Sequence, residues 1–100
     1  MAFQMNAWFD ALGRRFADAA RTLGAQVAAP ELDAPVADEV LELARVAAHT
    51  RERRFAPLAC YMAGVAVERL RQAGPLSAAD EALYIKTIRE EVEAEPEPSR

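Results

Sequence analysis

Cysteine, histidine, tryptophan and lysine each occur once in this chain of 100 residues, and the scarcity of the first two closes off classes of function. A lone Cys60 excludes an intrachain disulfide and any multi-cysteine metal site, and it fits a reducing compartment. A lone His49 supplies no second imidazole for a metal set. The chain carries no Ser-His-Asp constellation, no glycine-rich phosphate loop and no paired carboxylates in a recognisable setting. The expectation is therefore no enzyme, no metal and no cofactor. Uninterrupted apolar runs are too short for a membrane span, and Met1–Asn6 has no basic start of the kind a signal peptide needs. The cytoplasm is the expected compartment and no membrane partner is expected.

What the chain has in abundance is alanine, at 23 positions, against four glycines and few β-branched residues. Alanine has the highest helix propensity, so composition alone points to an all-α protein. Apolar residues make up 52% of the chain and charged residues 28%, a globular balance with room for one modest core. A core that small leaves stability marginal, and a homodimer stays open as a remedy. The net charge of −4 resides in residues 76–100, which hold seven acids against three bases, while residues 1–75 hold nine of each. A neutral body of this kind lacks the broad cationic surface of a nucleic-acid binder, so no nucleic-acid partner is expected.

Apolar periodicity places four helices, at about 6–23, 35–49, 57–73 and 78–93, in a small bundle of three to four helices forming one domain over 1–93. In the first, Trp8, Leu12, Phe16, Ala19, Ala20 and Leu23 recur at three and four, with Asn6 as N-cap and Gly24 as the left-handed residue past the end. Pro30, Pro35, Glu31 and Asp33 mark a connecting loop. The second helix buries Val36, Val40, Leu43, Ala44 and Ala47. Phe55–Val67 then contains no charged residue, the mark of a central helix, so Leu58, Cys60 and Met62 are expected inside. Gly74-Pro75 ends that helix, and Ser77 with Asp80 three residues on opens the fourth as a capping box. The run 94–100 is an acidic, proline-bearing tail expected to be disordered.

One group of residues could hold an anion. His49 ends the second helix, Arg45, Arg51, Arg53 and Arg54 cluster around the break that follows, and the third helix begins just beyond. The unpaired N–H groups of a helix start attract negative charge, so Arg53 and Arg54 are candidates to hold a phosphate or carboxylate there. The alternatives are a capping histidine and a solvated loop paired with nearby acids. Trp8 and Phe9, being adjacent, are expected to point different ways, leaving Trp8 either in the core or as a surface contact. Burial should keep the Cys60 thiol neutral and unreactive.

The stretch Val40–His49, the arginine-bearing break, Ala56-Pro57-Leu58, Gly64 and Trp8 together resemble a small uncharacterised actinobacterial domain family, over roughly residues 6–73. Its members are similar in a tryptophan near the start, a Leu-Ala-Arg-x-x-Ala-His helix end and an Ala-Pro-Leu helix start, matched here by Trp8, Leu43–His49 and Ala56–Leu58. The family often has an acid after the arginine where this chain has Val46, so no role of that acid carries over. It occurs free-standing or attached to molybdenum-cofactor nucleotidyltransferases. The resemblance implies an accessory role near that pathway and a protein partner from it. Taken with the absent motifs, the expected function is a noncatalytic helical interaction or accessory module, the alternative being a domain that binds a nucleotide or pterin phosphate at the junction.

Overall fold

A computed structural model describes residues 7–96, and they form four helices. They are α1 (Ala7–Thr22), α2 (Ala34–Thr50), α3 (Phe55–Ala73) and α4 (Ala78–Ala94). There is no strand among the described residues, so the all-α reading holds. The expected Asn6 cap and most of the acidic tail lie outside the described residues. The chain forms two compact units, Met1–Ala34 and Pro35–Arg100.

In the first unit, α1 ends as its sequence requires. Gly24 takes a positive φ of 82°, the Ala25 N–H donates to the Ala20 carbonyl and the Gly24 N–H to the Arg21 carbonyl, both at 3.0 Å. These two bonds satisfy carbonyls that the helix end would orphan. Asp18 and Arg21 pair one turn apart on the solvent side. Gly13 is the buried residue of α1, and a Cβ there would collide with the Pro30 carbonyl oxygen. The absent side chain is thus what lets the connector lie against the helix.

The second unit is built on α2. Ala37, Leu43, Val46 and Ala47 are buried, and Val46, at 1% exposure, is the one large side chain fully enclosed among the described residues. Leu43 joins Val67 of α3 and Ile85 of α4 in the core, with Val36, Val40, Ala59, Ala63 and Tyr84 packed around them. The expected place of α3 needs correction. It is not enclosed on all sides, for it contributes Val67 as its buried residue while Leu58, Tyr61 and Met62 are 61%, 74% and 70% exposed. Absence of charge permits burial on any side, but within this unit only α2 and α4 are there to pack against α3.

Ends and ion pairs fix α4. Ser77 Oγ accepts from the Asp80 N–H at 3.1 Å and the Ser77 N–H donates to Asp80 Oδ2 at 3.4 Å, completing the expected capping box. Gly74 leaves α3 in extended backbone, so Pro75, which disfavours helix in the residue before it, is the terminator. Arg71 near the end of α3 pairs with the buried Glu81 in the first turn of α4. At the opposite end Arg51, just before α3, reaches Glu95 just after α4, at 2.8 Å. The two pairs show that α3 and α4 run antiparallel. They also correct the start of the tail, because Ala94 is helical and Glu95 is tied by its side chain and by its N–H to the Val92 carbonyl.

Candidate functional site

The structure disperses much of the arginine cluster. Arg45 donates to Glu42 at 3.0 Å and to Glu93 at 3.3 Å, and those two hydrogen bonds, Glu42 foremost, push its pKa above the ordinary value. Arg51 is taken by Glu95, and Arg54 pairs with Glu52 at 3.3 Å. Two of these are links from the α2 side of the junction to Glu93 and Glu95 at the acidic end of the chain. His49 is exposed in the last turn of α2, where a helix C-terminus favours positive charge. Arg53 is exposed and has no ion-pair partner among the described residues.

The N–H groups expected to be free at the start of α3 are largely occupied. A local turn has the Phe55 N–H donating to the Glu52 carbonyl at 3.0 Å and the Ala56 N–H to the Arg53 carbonyl at 3.2 Å. Pro57 has no N–H to offer. Arg54, at the N-cap, is already in helical conformation and makes no side-chain cap bond. Anion binding there would have to rest on Arg53 and His49 without the helix end.

A different surface stands out on the outward side of α3. Leu58, Tyr61, Met62 and Val65 stand at i, i+3, i+4 and i+7, which puts them on one face. Beside them runs an open groove of about 580 Å³ along Tyr61, Met62, Val65, Arg69 and Tyr84. A second hollow of about 250 Å³ shares Met62, Ala66 and Tyr84 and continues along Ile88 and Val92 of α4. The two are one strip of apolar surface shared by α3 and α4, on which Ile88 is exposed. Single exposed apolar side chains are ordinary, whereas a contiguous patch marks an interaction site. The chemistry of the strip suits apolar contact. Its polar groups are few, the Tyr61 and Tyr84 hydroxyls and one cation at the α3 C-terminal end in Arg69.

Among the described residues no three His, Cys, Asp or Glu side chains converge as a metal would require. Cys60 lies half-buried, its Sγ–H directed at the Val40 carbonyl at 3.7 Å, and burial pushes its thiol pKa up. Trp8 sits in the first unit, 64% exposed, beside a hollow of about 300 Å³ with Ala11, Leu12 and Arg15. Its ring does not point away from Phe9 as adjacency suggests. The two rings meet edge to face at 4.9 Å between centroids. No helix among the described residues is long and apolar enough to cross a membrane.

The α3–α4 strip was not singled out by sequence reasoning. Its signal was present in the charge-free stretch Phe55–Val67, read as centre rather than as surface. Comparison with known proteins identifies the family: residues 2–100 match the family described as Domain of unknown function (DUF6457), and the chain belongs to it. No curated protein matches the chain, and no solved structure does.

Proposed function

We propose that this DUF6457 member is a noncatalytic helical interaction module whose working surface is the apolar strip along α3 and α4. The observation that carries this reading is the exposure of Leu58, Tyr61 and Met62 on a helix that has no charge over Phe55–Val67. Leaving such side chains in water forgoes roughly 1.5 to 3 kcal/mol each that burial would supply, so the surface favours a protein that covers it. The anion-binding alternative has less support, because the helix N–H groups and three of the four arginines are engaged within the chain.

Two finer parts of the proposal rest on the sequence resemblance, an actinobacterial origin and an accessory role with a component of molybdenum-cofactor synthesis or a molybdoenzyme. A cytoplasmic setting rests on the lone Cys60 and the short apolar runs. The test is binding of the full chain to the molybdenum-cofactor nucleotidyltransferase of the same host, measured by titration calorimetry with the parent and with Met62→Glu. Saturable binding by the parent, weakened at least about tenfold by the buried charge, is the expected result. Binding by neither would remove the molybdenum link. Equal binding by both would remove the strip from the function.

A further inference from the structure

We infer that the α3–α4 strip is a homodimer interface, occupied by the same strip of a second copy of this chain. The inference rests on reading the strip as an interaction surface and names its occupant in the free protein, which a nucleotidyltransferase bound at the same strip would displace. Two opposite charges at its two ends supply the argument. Arg69 borders the groove towards the C-terminal end of α3 and has no ion-pair partner among the described residues. On α4, Glu91 follows Tyr84 by seven residues and Ile88 by three, both of which line the strip, so it shares their face, and it too is exposed without an ion-pair partner among the described residues.

Because α3 and α4 run antiparallel, Arg69 and Glu91 lie towards opposite ends of the apolar strip. A surface with a cation at one end, an anion at the other and apolar side chains between is complementary to itself. A two-fold axis lying in the interface and bisecting the line between the charges sets each copy's Arg69 over the other's Glu91, with Tyr61, Met62 and Val65 closing in the middle. That is the isologous arrangement of a two-fold dimer.

The area agrees with a dimer of modest strength. The 19 residues of α3 extend about 28 Å, and two adjacent helices present a face about 20 Å wide, so roughly 1,100 Å² would be covered over both copies. That clears the roughly 1,000 Å² that a specific interface needs and falls just below the roughly 1,200 Å² at which stable ones begin, as a weak dimer would. The need for cover is also on the page, since the second unit encloses Leu43, Val46, Val67 and Ile85 as its larger apolar side chains and leaves the α3 face outside.

The test is sedimentation equilibrium on the full chain from roughly 10 µM to 1 mM, the range in which a micromolar dissociation constant shows both species. A monomer–dimer equilibrium is expected. Arg69→Glu alone and Glu91→Arg alone should each weaken it several-fold by setting like charges opposite each other, and the double variant Arg69→Glu/Glu91→Arg should restore it. Circular dichroism confirms that each variant is folded. A monomer at every concentration overturns the inference, as does a dimer indifferent to both single changes or not restored by the double. If the chain stays monomeric while Met62→Glu still loses the nucleotidyltransferase, the second copy falls and the interaction surface stands.

Discussion

Helices α2 and α3 are of similar length and both rich in alanine, yet they are used in opposite ways. On α2, Asp38, Glu39, Glu42 and Arg45 mark a charged face, two of whose members pair with α4, and Ala37, Leu43, Val46 and Ala47 go inside. On α3 the first thirteen residues carry no charge, and Val67 alone of the helix is buried. The less charged helix is the less buried one. A core of three helices takes one stripe from each, so apolar side chains beyond that stripe add nothing to the core and remain available to another molecule.

The sharpest way to break this comparison is to shorten side chains on both helices. Leu43→Ala should cost about 2 to 5 kcal/mol, because it opens a cavity beside Val67 and Ile85. Met62→Ala, measured in solution dilute enough to hold a monomer, should change stability by about 0.5 kcal/mol or less. Urea unfolding of both variants checks the pair. Equal losses would mean that α3 is enclosed after all.

The next effect concerns the join between α3 and α4. Arg71→Ala strands the carboxylate of Glu81, which is 3% exposed, and should destabilise by about 1 to 3 kcal/mol. Replacing Glu93, whose pairs with Arg45 and Arg89 are at 3.3 Å and about half exposed on its side, should lose under about 1 kcal/mol. Thermal melts of the two variants rank the contacts. A reversed order would show that the surface network, rather than the buried pair, holds α4.

Two glycines sharpen the contrast further. A Cβ at Gly64, on the exposed side of α3, meets nothing within 4 Å, so Gly64→Ala should stabilise by about 0.5 to 1 kcal/mol through helix propensity. Gly13→Ala should destabilise, because the added carbon meets the Pro30 carbonyl oxygen. The smallest effect is chemical. Burial raises the Cys60 pKa, so at pH 8 less thiolate is present than on a free thiol, and alkylation by iodoacetamide should be slower than that of glutathione. Equal rates would place Cys60 in solvent.

Features set by near neighbours were legible in the sequence. The turn at Gly24, the Ser77–Asp80 box and the stop at Pro75 each depend on residues within five positions. What lay out of reach depends on distant partners. Arg45 and Arg51 read as an exposed basic cluster because the glutamates that take them, Glu93 and Glu95, lie more than forty residues away. Likewise, with no charge on Phe55–Val67, nothing in the periodicity tells which side of α3 faces outward. The strip along that helix therefore became visible only once α2 and α4 were in place around it.

The most direct measurement is the methyl resonance of Met62, which lies between the two hollows of the strip. In carbon–proton spectra of the full chain labelled at methionine methyl groups, it should shift progressively with protein concentration, and Arg69→Glu should abolish the dependence. A Met62 resonance that stays fixed from dilute to concentrated solution would contradict the assignment of this surface to a second copy.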